Sequence, residues 1–250
     1  MEHDASDLVA HFQKDGFVLV DGFLSQSEVD ELDRELERFI KEIVPRVAKN
    51  HVYYESTASG PIKHLSVPER YDDYFKRFLR RRASIELLEA CLGTSVEPVA
   101  SEVFYKPARV GSAGPYHQDN AYLHYDPPEG IILWIALDDT TIENGAVHFA
   151  KGAHKRGDMP HFETNVELFS KGLCQPPDLT AYPEFPAILK RGDASIHNIL
   201  TPHRSGPNKT DHSRRGVVCD YKGANAKVDE KREAAHKSYV ARIGQQREQP

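Results

Sequence analysis

The spacing of apolar and polar residues changes near residue 97. Before it the rhythm is helical. Residues 8–14 have amphipathic helical spacing, and Gly16-Phe17-Val18-Leu19-Val20, closed by Asp21-Gly22, reads as a short strand. Ser25 or Ser27 can cap the next helix, whose apolar positions Val29, Leu32, Leu36, Phe39, Ile40 and Ile43 recur every three to four residues until Pro45. Residues 46–72 show no clear period and contain Gly60-Pro61, so they read as loop with short elements. The spacing predicts one further helix over 74–92, ended by Gly93. After residue 97 come short β-rich runs bounded by Gly, Pro or Asp, around 99–106, 114–119, 130–137, 146–150, 186–189, 193–199 and 214–221.

Many short strands behind a helical lead-in predict a mainly β fold with flanking helices, a sandwich or jelly-roll core. The whole chain, 1–250, is expected to be one domain: a lead-in over about 1–96, a β core over 97–222, and a polar helix or tail over 223–250. Residues 160–186, with Gly172, Pro176-Pro177 and Pro183, are long for a plain connection and read as a lid-like insertion.

Composition narrows the class of partner. A net charge of −6 argues against nucleic acid, which needs a strong positive field. The one dense basic run, Lys76-Arg77 with Arg80-Arg81-Arg82, lies in a helical stretch and reads as a solvated face. Three cysteines, Cys91, Cys174 and Cys219, suggest free thiols in a reducing compartment, and none forms a CxxC pair. No apolar run approaches a membrane span, and the first residues lack the basic start and apolar stretch of a signal peptide. A cytoplasmic protein acting on a small molecule is expected.

The candidate chemistry is a metal site. With 13 histidines, one His-x-Asp match is expected by chance, and there are two: His117-Gln118-Asp119 and His124-Tyr125-Asp126. Residues i and i+2 of a strand share a face, so either pair could meet one ion. Asp126 directly precedes Pro127-Pro128, where a regular ladder must end, whereas His117 and Asp119 follow the Gly114-Pro115 turn near a strand end. The first pair is preferred. A third ligand comes from 187–221, where His203 and His197 both qualify and spacing alone does not separate them. If His203 and Arg214 lie on neighbouring strands of one hairpin, they can face one cavity, the histidine on a metal and the arginine on a carboxylate. Two imidazoles and a carboxylate hold Fe(II) on one face and leave the other positions open.

These residues, taken in order, resemble the phytanoyl-CoA dioxygenase family of iron(II)/2-oxoglutarate oxygenases. The likeness runs from Gly16-Phe17-Val18 to about Tyr221. It includes Val20-Asp21-Gly22-Phe23-Leu24, His117-Gln118-Asp119, Trp134 within Leu133-Trp134-Ile135-Ala136-Leu137, and Asn144-Gly145-Ala146-Val147. Gly152-Ala153-His154, Gly192-Asp193, His203-Arg204-Ser205-Gly206-Pro207-Asn208 and Arg214 complete it. The resemblance implies a double-stranded β-helix of the cupin-like kind. It implies His117, Asp119 and His203 as Fe(II) ligands, Arg214 on the distal carboxylate of 2-oxoglutarate with Ser205 and Trp134 in that pocket, and Lys63 near the cosubstrate. It implies O2 as second cosubstrate, with succinate and CO2 released. Related halogenases replace the carboxylate with a small residue, so Asp119 favours a halide-free oxidation such as hydroxylation. His197 and Asn198 can support the centre from outside the ligand set.

Candidates for the substrate wall are Tyr105, Tyr116, Asn120, Tyr122 and His124, whose polar groups suit a small polar metabolite better than an alkyl slot. The chain ends without a Ser-Lys-Leu address and shows no obvious basic surface for CoA phosphates, which argues against phytanoyl-CoA itself. Two alternatives stand beside the oxygenase: a metal-dependent cupin-like isomerase or hydrolase, and a non-catalytic β-sandwich binding module. Oligomeric state is not legible.

Overall fold

Every residue of Gly130–Ala136 is buried, because this strand runs down the centre of a sheet covered on both faces. The computed structural model describes residues 5–55, 60–164, 168 and 170–247. The opening residues 1–4, part of the lid-like segment (165–167 and 169) and the last residues of the tail (248–250) lie outside them.

Seven strands form the major sheet: β1 Phe17–Val20, β2 Val52–Tyr54, β3 Ile62–Ser66, β4 Val96–Lys106, β7 Gly130–Ala136, β12 Ala194–Asn198 and β14 Arg214–Gly223. Their order is β1-β12-β7-β14-β4-β3-β2. A four-stranded sheet faces it, order β11-β8-β13-β5, made of β5 Gly114–His117, β8 Val147–Ala150, β11 Glu184–Pro186 and β13 His203–Ser205. Two ribbons, β6 Tyr125–Asp126 with β15 Lys227–Val228 and β9 His161–Glu163 with β10 Lys171–Leu173, complete the strands. All pairings are antiparallel, which gives the cupin-like jelly roll expected from the sequence.

Strand alternation builds two cores. Ile131, Leu133 and Ile135 of β7 face outward and pack with Val217 and Cys219 of β14 against four helices, α1 Ala5–Asp15, α2 Gln26–Arg38, α3 Asp73–Leu79 and α4 Arg82–Leu92. Those helices contribute Phe12, Leu32, Leu36, Phe75 and Leu88. Ile132 and Trp134 face the other way and join Phe17, Phe149 and Val218 between the sheets. Two further α-helices are the four-residue α5 Asn120–Leu123 and the 18-residue C-terminal α6 Glu230–Arg247. Among the described residues no helix is long and apolar enough to cross a membrane.

Several boundaries differ from expectation, each for a local reason. Ser25 is the cap of α2; it forms a reciprocal capping box with Glu28. The helix expected over 74–92 is two helices, broken where Arg81 takes an extended ψ of 122°. The break frees the Leu79 carbonyl, which accepts from the buried Tyr221 hydroxyl at 2.9 Å, and Arg81 turns to Glu28 at 2.8 Å. Gly93 closes α4 at φ 78°, a left-handed value that favours glycine. The lead-in is not only helical, since β1, β2 and β3 join the major sheet. The 160–186 segment carries its own ribbon and ends in β11 of the smaller sheet.

Candidate metal centre and cosubstrate pocket

The two sheets enclose a cavity of about 680 Å³. His117 ends β5, and Asp119 already lies in a helical conformation (φ −64°, ψ −29°) leading into α5. The two side chains are therefore brought together by a strand end and a turn, not by a continuous strand. Gln118 between them fixes that turn. Its amide nitrogen donates to the Gly157 and Leu200 carbonyls at 2.9 and 2.7 Å, and its carbonyl oxygen accepts from Met159 N–H at 2.8 Å.

His203 opens β13 directly opposite His117 in the ladder, with ring centroids 4.2 Å apart. Nε2 of His117 is 3.8 Å and Nε2 of His203 3.6 Å from the same Asp119 oxygen, Oδ1. The three ligand atoms lie within 4.8 Å of one another, a spacing that could hold one ion. Each imidazole donates from Nδ1 to a carbonyl two residues back, His117 to Pro115 at 2.8 Å and His203 to Thr201 at 3.0 Å. A carbonyl can only accept, so the proton sits on Nδ1 and the Nε2 lone pair is left available to a metal. Burial lowers both histidine pKa values, that of His203 to about 3, which keeps the rings in their neutral, metal-binding form. Although burial alone would raise the Asp119 pKa, the pull of His203 and the hydrogen bond from His197 hold its carboxyl well below the usual range.

Position separates the two histidines that the sequence left open: the ligand atoms close enough to share one ion are those of His117, Asp119 and His203. His197 lies on β12 of the major sheet and donates from Nε2 to the other Asp119 oxygen, Oδ2, at 2.9 Å. It orients the carboxylate and leaves Oδ1 turned to the two imidazoles. Phe149 packs 5.1 Å from His197 and 5.8 Å from His203, and stacks on Phe17 at 4.6 Å, an apolar support beneath the rings. The rival pair does not converge: His124 sits at φ 57° against His236, and Asp126 is exposed.

Arg214 faces the same cavity, but not as a hairpin neighbour of His203. The connection 206–213 crosses from the smaller sheet to the larger, pinned by Asn208 Nδ2, which donates to the Lys106 and His212 carbonyls at 2.8 Å each. Arg214 is 3% exposed. Among the described residues it donates once, from Nη2 to the Gly145 carbonyl at 2.7 Å, and its Nε has no hydrogen-bond partner. Its guanidinium lies 5.3 Å from the Trp134 ring centre. Gly216 makes room for that ring, since a Cβ there would fall 2.1 Å from Trp134 Cζ2. Burial lowers the Arg214 pKa to about 10. Ser205 lines the cavity too, as does Lys63, whose Nζ is 3.7 Å from Glu55. Sequence reasoning missed Lys106. It stands opposite Arg214 in the β4–β14 ladder, with its amine on the Ser112 carbonyl. Burial and the neighbouring Arg214 and Lys63 charges lower its pKa to about 7.

A family model described as phytanoyl-CoA dioxygenase matches residues 12–216. The chain belongs to the phytanoyl-CoA dioxygenase family. It is accordingly a 2-oxoglutarate-dependent non-haem iron oxygenase. A probable alpha-ketoglutarate-dependent hypophosphite dioxygenase of Stutzerimonas stutzeri is 24% identical over 84% of this chain and 76% of that protein. Peroxisomal phytanoyl-CoA dioxygenase of Bos taurus is 23% identical over 86% of this chain and 67% of that one. Among solved structures, the epimerase SnoN in complex with Fe3+, alpha ketoglutarate and nogalamycin RO superposes with a TM-score of 0.75, at 22% identity, over 90% of this chain and 85% of that one. The donor set fits iron and 2-oxoglutarate: two neutral imidazoles and a carboxylate on one side, and a buried arginine lacking an anion on the other.

The substrate-wall candidates divide. Tyr122 lines the cavity, edge-on to His117 at 5.6 Å. Tyr105 touches the wall, but its ring packs with the outer, helix-side core. Tyr116, Asn120 and His124 do not line it. Tyr116 donates to Glu184, Asn120 donates to Asp158 at 2.9 Å and accepts from Tyr125 N–H at 2.8 Å, and His124 meets His236 at 3.2 Å. The cavity is instead closed by Leu168 and Ser170 of the 160–186 segment and by His236 and Val240 of α6, a helix whose polar sequence gave no sign of it.

Proposed function

We propose that this protein hydroxylates an unactivated C–H bond of a small polar metabolite, using Fe(II) held by His117, Asp119 and His203. The observation that carries this reading is one cavity holding both the three converging ligand atoms and a buried arginine lacking an anion. Bound iron with 2-oxoglutarate and O2 supplies the oxidising power, with release of succinate and CO2. The chain's own part is positioning. The Arg214 fork receives the distal carboxylate beside Ser205 and Trp134, with the Lys63 and Lys106 amines adding positive charge. His197 holds Asp119 in place, and the Phe17–Phe149 stack backs the histidines with apolar surface.

A metal-dependent isomerase or hydrolase on this fold gives no account of Arg214, and a binding module gives none of the triad. The three unpaired cysteines fit a reducing compartment such as the cytoplasm. Purified protein with Fe(II), ascorbate and 2-oxoglutarate is expected to form succinate, and His117→Ala to abolish it. Substrate turnover that proceeds without 2-oxoglutarate contradicts the proposal.

A further inference from the structure

The inner face of the major sheet changes sign along its strands. At one end Arg214 stands opposite Lys106. Further along the same two strands, on the same face, come Asp220 and Glu102. Asp220 lies six residues from Arg214, roughly 20 Å along the strand. Glu102 is opposite Val218, which makes Asp220 its diagonal neighbour at about 7–8 Å. Both carboxylates line the cavity.

Among the described residues neither carboxylate is paired with a lysine or arginine. Among the described residues Asp220 has no hydrogen bond or ion pair, and burial, with the negative charges of Glu102, Asp119 and Glu69, pushes its carboxyl well above the usual carboxylate range, a shift that a bound cation would offset. Glu102 has one ionic neighbour, His64 Nε2 at 3.4 Å. The second, independent observation is His64 itself. It lines the cavity, is 3% exposed, and neither ring nitrogen makes a hydrogen bond. A ring so deep is costly unless a ligand completes it. With Nε2 turned toward Glu102, Nδ1 is left to accept from an N–H donor.

The chain's other cavity cations are engaged elsewhere. Lys63 faces Glu55, Arg204 is held by Glu184 at 2.6 Å, and Arg214 and Lys106 stand at the far end. Nor do the iron and cosubstrate supply the missing charge, since a divalent ion with Asp119 and a dianionic 2-oxoglutarate is net negative.

We propose that the substrate is a cation, an alkylammonium or guanidinium compound whose charged group docks between Glu102 and Asp220 beside His64 and so presents a neighbouring C–H bond to the metal face. This rests on the oxygenase reading and narrows its substrate from polar to positively charged.

The test uses anaerobic protein loaded with Fe(II) and 2-oxoglutarate, titrated with three probes of one shape: n-butylammonium, n-butanol and butyrate. The readout is the change in the charge-transfer absorption of the iron–cosubstrate complex. The ammonium is expected to saturate at least about tenfold more tightly than the alcohol or the carboxylate. Asp220→Asn and Glu102→Gln are each expected to weaken it about tenfold. Cosubstrate binding, read in the same titration, shows that each variant has folded. Normal 2-oxoglutarate binding with indifference to probe charge, or an ammonium affinity unchanged in both variants, overturns the proposal alone. Absence of 2-oxoglutarate binding overturns the oxygenase reading and the proposal with it.

Discussion

Arg214 and Arg215 are adjacent in the chain and opposite in fate. Strand alternation sends Arg215 to the helix side, where it grips Asp138 through Nε and Nη2 at 2.9 and 2.8 Å and reaches Asp33 at 2.7 Å. Arg191 joins that network on Asp30 and Asp33, both at 2.9 Å. Arg214 points into the cavity and meets one carbonyl and an aromatic ring. The contrast extends over both faces of the major sheet. On the helix side charge is matched by charge from the chain; on the cavity side, among the described residues, Arg214, Lys106 and Asp220 have no ion-pair partner, and burial pushes Asp220 upward and Lys106 downward, toward their neutral forms. Unmatched buried charge is destabilising. A fold that keeps it there is shaped for what binds, and the matched face is what holds the unmatched one in place.

Removing a metal ligand breaks this picture most severely. His117→Ala, Asp119→Ala and His203→Ala are each expected to lower cosubstrate turnover by more than the about 10–100-fold typical of outer supporting groups, with metal stoichiometry falling toward zero. Next comes the arginine pair. Arg214→Leu is expected to raise the KM for 2-oxoglutarate by about 30- to 5,000-fold, the equivalent of about 2–5 kcal/mol for a buried charge pair, with little change in Tm. Arg215→Leu is expected to do the reverse, destabilising the fold by about 1–3 kcal/mol while leaving that KM nearly unchanged. Denaturant melts and steady-state kinetics on the two variants measure the contrast. His197→Phe, which removes the hydrogen bond to Asp119, is expected to weaken metal binding by about 10–100-fold.

The smallest effect is a pH dependence. The Lys106 pKa is depressed to about 7 in the unliganded protein, and a bound dianion must raise it. The amine's contribution to cosubstrate binding is therefore fully present below about pH 7. It is lost as pH rises, by up to about tenfold per unit, until the pKa of the complex is passed. Calorimetry between pH 6 and 9 reads this slope, which Lys106→Met is expected to flatten.

The sequence shows most plainly what burial makes uniform. Residues 130–137 and the period of α2 are legible because one or both faces are apolar throughout. The region 46–72 hides β3 for the opposite reason. Its Lys63 and His64 are buried beside Leu65 and line the cavity, so inward polar residues erase the period-two signal. Glu102, Lys106 and Asp220 escape notice likewise, since inward charges in a strand read as surface. The break at Arg81 carries no local signal, because it is set by a tertiary bond from Tyr221. Tyr105 touches the wall only from the side by parity, one position out of step with Phe104 and Lys106, which face the cavity. The approach of His117 to Asp119 was legible because Pro127 speaks against the rival pair; that His203 and not His197 stands opposite His117 depends on which sheet each strand joins.

The most direct measurement is an anaerobic titration of 2-oxoglutarate into the protein with and without Fe(II), followed by calorimetry and by charge-transfer absorption. One equivalent binding only when the metal is present, and lost in Asp119→Ala, is the predicted result. Equal binding with and without iron, or no stoichiometric iron at all, contradicts the claim that His117, Asp119 and His203 hold one open-faced metal ion.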